Sequence, residues 1–283
     1  MNKLIIIVIL SLISLSSLYC QKAQSNLNSE SRLYVDSIYS KNLGEYRKHN
    51  VYLPYGYSDQ KKYKVIYATD GDESLATSFI KSALDSLIGN NLIKPIIYIG
   101  SHSNSKNIAS TSMQTDDGMQ MNIQYRNFEY VEEFAVGGPF KELANRFKNH
   151  MLYFKDELIP QIEEKFNIDI DQSDRIFYGV SNGAGFGANL LNKHPMIIGT
   201  YICYSTLGSN VEKNIWNKKL NYPKLYIQYG TKEDDLFKTE AENLNKKYKE
   251  SNSFCDLRTF NGGHDYEEWN RQFPKTLMEI LRQ

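Results

Sequence analysis

Apolar positions along this chain fall into two rhythms. Strand candidates recur at Lys64–Thr69, Pro95–Gly100, Arg175–Val180, Thr200–Ser205, Lys224–Tyr229 and Phe254–Phe260, several of them short, nearly unbroken apolar runs. Runs of that kind are expected of parallel strands buried on both faces. Between them, apolar residues return every three or four positions, which predicts helices over Leu75–Ile88, Phe140–Phe166, Ala184–Lys193, Lys238–Ser251 and Tyr266–Arg282. In the second of these, Phe147, Met151, Phe154, Leu158, Ile162 and Phe166 mark one face, and Pro160 should kink or interrupt it. Upstream, Arg32–Tyr39 and Tyr46–Leu53 flank Asn42-Leu43-Gly44, the pattern of an antiparallel hairpin.

This order predicts an α/β fold, a mostly parallel doubly wound sheet with an antiparallel N-terminal edge. Short connections should make its crossovers right-handed. No repeat and no Pro/Gly-rich linker divides the chain, so residues 26–283 are expected to form one domain. The polar stretch Ser101–Tyr125 is expected to be a long loop. A loop of that length is usually either functional or disordered, and this one follows a strand at the end where α/β sheets place their ligands.

The first residues change the picture of where the protein works. Met1-Asn2-Lys3 precedes an apolar run from Leu4 to Leu10, continued by Ser-interrupted leucines to Leu18 and a polar exit at Gln21–Ser25. That is the layout of a secretory signal peptide over residues 1–25, so an exported protein, periplasmic or secreted, is expected. The run is short for a membrane span and no other segment is long enough, so no integral membrane domain is expected. Cys20 offers lipid anchoring as the weaker alternative, because bulky Tyr19 stands where a small residue is expected. Cys203 and Cys255 then remain. The apolar setting of Cys203 favours a buried free thiol. There is no CxxC and no metal-ligand spacing, so no metal is expected. With 33 Lys+Arg against 33 Asp+Glu in 283 residues, nothing suggests a nucleic-acid partner.

The chemistry is concentrated at strand ends. Gly179-Val180-Ser181-Asn182-Gly183 is a G-x-S-x-G between an apolar strand and a small-residue helix start, the context of a nucleophile elbow. Ser181 is the candidate nucleophile. His264, in Gly262-Gly263-His264-Asp265 after the last strand, is the candidate base. His49 falls in the early hairpin, His150 on the polar side of a helix and His194 before Pro195, all poorer positions. His102 opens the polar stretch and is a candidate substrate contact. Between serine and histidine, Glu233-Asp234-Asp235 follows a strand-ending glycine, so the order Ser…acid…His is that of an α/β-hydrolase triad. Glu233 is the first choice for the acid and Asp234 the second; those not used would serve as a solvated turn and helix cap. An oxyanion needs two N–H donors. The Asn182 amide is one candidate; the other lies in Asp70-Gly71-Asp72, with Asp72 preferred to Gly71.

Several segments together resemble the putative-esterase group of α/β hydrolases. They are Val51-Tyr52-Leu53-Pro54 with Gly56-Tyr57, Val65-Ile66-Tyr67 leading to Asp70-Gly71, and Arg126 with Glu129-Tyr130. Glu157-Leu158-Ile159-Pro160, the elbow, and Gly262-Gly263-His264-Asp265 with Trp269 complete the set. The group includes enterochelin, feruloyl and acetyl-xylan esterases, S-formylglutathione hydrolases and mycolyltransferases. The similarity spans about residues 45–282. It implies the α/β-hydrolase fold, Ser181 and His264 with the loop acid as catalytic residues, and no cofactor. Arg126 joins His102 as a candidate substrate contact.

A secreted serine carboxylesterase is therefore the expected function. Its substrate would be a small-molecule or polysaccharide-linked ester, either a catechol siderophore ester or a feruloyl or acetyl ester. An acyltransferase on the same scaffold is the near alternative, and a hydrolase-fold binding protein without turnover the more distant one.

Overall fold

The computed structural model describes residues 30–114, 120–134 and 140–282. The expected signal peptide and Cys20 lie outside the described residues. Strands β1 (Arg32–Ser40), β2 (Glu45–Leu53) and β3 (Lys64–Ala68) are followed by helix α1 (Ser74–Gly89) and strand β4 (Ile96–Ser101). Strands β5 (Asn107–Gln114) and β6 (Gln120–Gln124) lead into helix α2 (Tyr125–Tyr130). Then come α3 (Arg146–Leu152), α4 (Ile159–Lys165), β7 (Arg175–Val180), α5 (Asn182–Lys193) and β8 (Thr200–Tyr204). The chain ends with β9 (Lys224–Gly230), α6 (Asp235–Glu250), β10 (Cys255–Phe260) and α7 (Tyr266–Leu281).

Eight strands form one sheet in the order β1-β2-β4-β3-β7-β8-β9-β10. β1 with β2 and β2 with β4 are antiparallel; every other neighbouring pair is parallel. This is the α/β-hydrolase arrangement with its antiparallel edge. The apolar runs are continuous because both faces are covered and alternate residues serve opposite layers. Val65, Tyr67, Ile97, Ile99 and Phe177 pack with Phe154, Phe186 and Leu244 on one face. Ile66, Ala68, Ile96, Tyr98 and Tyr178 pack with Leu84 of α1 and Phe273 and Leu277 of α7 on the other.

The structure corrects three expectations. The Ser101–Tyr125 stretch is not one long loop: β5 and β6 pair as a separate antiparallel hairpin, with a register irregularity between Asn107 and Ser112. Its run of Ser, Thr, Asn and Gln hid it, since the only alternation is the short Gln120-Met121-Asn122-Ile123-Gln124. The single helix over Phe140–Phe166 is instead a short 3₁₀ turn (Lys141–Leu143), then α3, a π-helical turn (Tyr153–Leu158) and α4. Pro160, in the first turn of α4, has no N–H to donate to the preceding turn, and the helix widens just before it. Finally, His150 is fully buried rather than on a polar face. Its ring lies among those of Phe186 (4.8 Å), Tyr130 (5.3 Å) and Tyr153 (5.6 Å).

Candidate active site

The loops after β3, β7, β9 and β10 all emerge at the C-terminal end of the sheet. Ser181 is the single residue between β7 and α5, at φ 54° and ψ −130°. A non-glycine residue with positive φ is uncommon and persists only where its surroundings fix it. Here the Ser181 N–H donates to the Tyr204 carbonyl (2.9 Å), and its carbonyl accepts from Gly185 (3.0 Å) and Leu207 (3.3 Å). The two motif glycines permit the turn by their lack of bulk. A Cβ on Gly179 would lie 2.7 Å from the Gly183 carbonyl oxygen, and one on Gly183 only 2.3 Å from Thr69 Oγ1.

The loops after β9 and β10 are tied together by backbone bonds: Thr231 N–H to the Phe260 carbonyl (2.9 Å) and Lys232 N–H to the Gly262 carbonyl (3.0 Å). This pairing sets Glu233 beside His264. His264 Nδ1 is 2.7 Å from Glu233 Oε1, and His264 Nε2 is 3.1 Å from Ser181 Oγ. The other carboxylate oxygen of Glu233 accepts from the Gly230 N–H (2.7 Å), and its side chain is wholly buried. With Nδ1 protonated to donate to the carboxylate, Nε2 is left to accept the serine hydroxyl proton. Phe237 leans on the imidazole (4.4 Å between centroids) and Trp269 meets it edge-on (4.8 Å). Trp269 Nε1 in turn donates to Ser205 Oγ (2.8 Å). Asp234 is elsewhere: it caps α6 by accepting the Leu236 N–H.

The loop after β3 packs against the start of α5, since the ideal Gly183 Cβ that meets Thr69 also falls 2.9 Å from Asp70 Oδ2. Its backbone groups are held one by one. The Asp70 N–H donates to Tyr130 Oη, its carbonyl accepts the Glu73 N–H, and the Gly71 N–H donates to the Ser101 carbonyl (2.9 Å). The Gly71 carbonyl accepts from Asn50 Nδ2 and from Thr77 Oγ1 (2.8 Å). Gly71 thus has both backbone groups engaged within the protein. The Asp72 carboxylate accepts from Ser103 N–H (2.7 Å) and Oγ (3.0 Å), so its charge is drawn toward the β4 end.

A family model described as "Putative esterase" matches residues 40–280. The chain belongs to that esterase family. Bacillus subtilis protein YjcH is 23% identical over 258 residues, which are 86% of this chain and 95% of that protein. Among solved structures, a ferulic acid esterase superposes with a TM-score of 0.68 at 18% identity, covering 90% of this chain and 99% of its own. The enterobactin esterase FES of Shigella flexneri, determined in the presence of enterobactin, gives a TM-score of 0.67 at 14% identity. That match covers 88% of this chain and 59% of FES.

The remaining expected contacts of this esterase, Arg126 and His102, pair with residues other than Ser181, His264 and Glu233. The Arg126 guanidinium donates to both oxygens of Asp70, at 2.6 and 2.9 Å, and lies over the Tyr130 ring (4.8 Å). Burial pulls its pKa down, but the Asp70 charge more than offsets this and holds it above the ordinary arginine value. His102 pairs with Asn50 Oδ1 through Nε2 (2.9 Å) and lines, with Asp72, two cavities of about 510 Å³ each. Burial pushes its pKa down, helped by Lys48 and Arg47. Asp70 and Tyr130 were not singled out from sequence as partners of Arg126. The i, i+4 spacing of Arg126 and Tyr130 on one helix was the available signal; the Asp70 contact spans 56 residues and had none. Among the described residues, no helix is long and apolar enough to cross a membrane.

Proposed function

We propose that this esterase is an exported serine carboxylesterase in which Ser181 is the nucleophile, His264 the general base and Glu233 the orienting acid. The observation that carries this reading is the single imidazole joining Ser181 Oγ (3.1 Å) to a buried carboxylate (2.7 Å). Ser181 attacks the ester carbonyl while His264 takes the hydroxyl proton. The Glu233 carboxylate keeps the ring oriented and stabilises the imidazolium. The tetrahedral oxyanion accepts from the N–H of Asn182, in the first turn of α5, and from the N–H of Asp72. The helix end adds its partial positive charge. His264 then protonates the leaving alcohol, and water attacks the acyl-enzyme with the same base.

The ferulic acid and enterobactin esterases it resembles support an aromatic acyl ester as substrate: a feruloyl ester on a polysaccharide or a catechol siderophore ester. The apolar run at Leu4–Leu18 supports export with loss of residues 1–25.

One measurement tests both points. The intact mass of the protein recovered from its native host, after reaction with a fluorophosphonate, should show the loss of the leader and one phosphonyl adduct. Ser181→Ala should show no adduct. Labelling at another residue would remove Ser181 from the mechanism, and an uncleaved leader would remove export.

A further inference from the structure

Asp70 combines three features rarely found together. It is a non-glycine residue at φ 55°, it is only 3% exposed, and it carries a charge. Its carboxylate lies against the first turn of α5, as the 2.9 Å approach of a Gly183 Cβ to Oδ2 shows. That is the same helix end from which the Asn182 amide projects. Two residues later comes Asp72, the other proposed oxyanion donor. An unpaired carboxylate at this place would compete for the helix terminus and oppose a second negative charge forming beside it.

Arg126 answers that charge. Its Nε and Nη2 form a two-pronged contact with the two Asp70 oxygens, and its Cζ lies over the Tyr130 ring. The hydroxyl of Tyr130 also accepts the Asp70 N–H. The helix bearing both residues is itself anchored. Glu129, fully buried, accepts from Arg47 (2.8 and 2.9 Å) and Arg146 (2.9 and 2.6 Å), and the Arg126 N–H donates to the Asn104 carbonyl (2.9 Å). Glu45 accepts from the same two arginines (2.9 and 2.5 Å), so two carboxylates balance two guanidiniums in this support, and Arg126 is aimed from it at the loop.

We infer that Arg126 is a positioning residue for the oxyanion loop: it holds Asp70 in its left-handed conformation and neutralises the carboxylate beside the forming oxyanion. This rests on the reading of Ser181 as nucleophile. It replaces the expectation that Arg126 contacts substrate. A substrate contact would act mainly on KM, whereas a support of the oxyanion loop acts on the transition state and so on kcat.

The test compares wild type, Arg126→Met, Asp70→Asn and the double variant. The readouts are steady-state hydrolysis of 4-nitrophenyl acetate, the rate of fluorophosphonate labelling, and the thermal midpoint. Arg126→Met is expected to lower kcat and the labelling rate at least tenfold with KM within about twofold of wild type. Adding Asp70→Asn is expected to recover several-fold of that loss, because the neutral amide no longer opposes the oxyanion. If Arg126→Met does not fold, Arg126→Lys takes its place: it keeps the charge, loses the fork, and should still lower kcat. A raised KM at unchanged kcat, or a double variant no faster than Arg126→Met, overturns the inference. Wild type that does not label at Ser181 overturns instead the underlying serine-hydrolase reading, and the variants play no part in that result.

Discussion

His264 Nδ1 lies 2.7 Å from Glu233 Oε1, and the second oxygen of that carboxylate is fixed by the Gly230 N–H at the end of β9. Asp234, next in sequence, instead accepts the Leu236 N–H as the cap of α6. Neighbouring acids thus have separable roles. Glu233→Gln would present an amide N–H to Nδ1 and favour the wrong tautomer, so kcat should fall by roughly 10³- to 10⁴-fold with the fold intact. Asp234→Ala should keep near-normal kcat and lose about 1 kcal/mol of stability as a missing cap. Steady-state kinetics and urea unfolding of the two variants check this; the reverse pattern would make Asp234 the orienting acid.

Gly185, in the first turns of α5, supports the elbow from below. A Cβ there would sit 2.0 Å from the Leu207 carbonyl oxygen, a backbone atom that cannot rotate away. The Leu207 N–H also donates to the Ser181 carbonyl, so moving this segment disturbs the nucleophile turn. Gly185→Ala is expected to destabilise by about 2–3 kcal/mol. For a chain of this size that lowers the thermal midpoint by roughly 4–12 °C. A midpoint within a degree of wild type would show that the 207–208 loop yields freely.

Trp269 connects the histidine loop to the core. Its indole N–H donates to the buried Ser205 hydroxyl (2.8 Å), and its ring meets His264 edge-on at 4.8 Å. Trp269→Phe keeps an aromatic body but leaves the Ser205 hydroxyl without its donor. The expected cost is about 1–2 kcal/mol, with a several-fold fall in kcat as the His264 loop loosens. Unchanged kcat would mean that Glu233 and Phe237 hold the imidazole without help.

What the sequence disclosed follows from how each feature is encoded. The central strands were legible because burial on both faces leaves continuous apolar runs, as in Ile96–Ile99. Ser181 stood out because a turn at φ 54° with close backbone approach on both sides requires Gly179 and Gly183. The β5–β6 hairpin was not legible: it lies outside the main sheet, and its one alternating segment, Gln120-Met121-Asn122-Ile123-Gln124, is only five residues long beside the polar Asn107–Gln114 strand. The contact of Arg126 with Asp70 was equally hidden, since it depends on packing α2 against a loop 56 residues earlier. His150 was misread although its spacing held the signal. It stands three residues after Phe147 and four before Phe154, on the same helical face, and Phe186 packs against all three rings.

That buried imidazole has a consequence for acid stability. Among the described residues neither ring nitrogen of His150 has a hydrogen-bond partner, and the same is true of His49. Burial pushes the pKa of His150 well below its ordinary value of 6.5, reinforced by the Arg47 and Arg146 charges. Burial also lowers His49, to about 4, with Lys165 and His102 adding to the fall and Asp36 opposing it. Both rings are therefore neutral in the folded protein where the unfolded chain binds protons. Stability is complete above about pH 6.5 and declines as pH falls below it, by up to about 1.4 kcal/mol per pH unit for each ring. For His49 the decline ends near pH 4, where the folded state also protonates. His150→Phe, placed among aromatic neighbours, should remove one of the two contributions. Its unfolding free energy should drop less than that of wild type between pH 7.5 and 5.0, by about 2 kcal/mol. Urea unfolding at the two pH values measures the difference. Parallel declines in both proteins would mean that His150 takes up its proton without unfolding, and that the ring is reached by water through the α2–α3 packing.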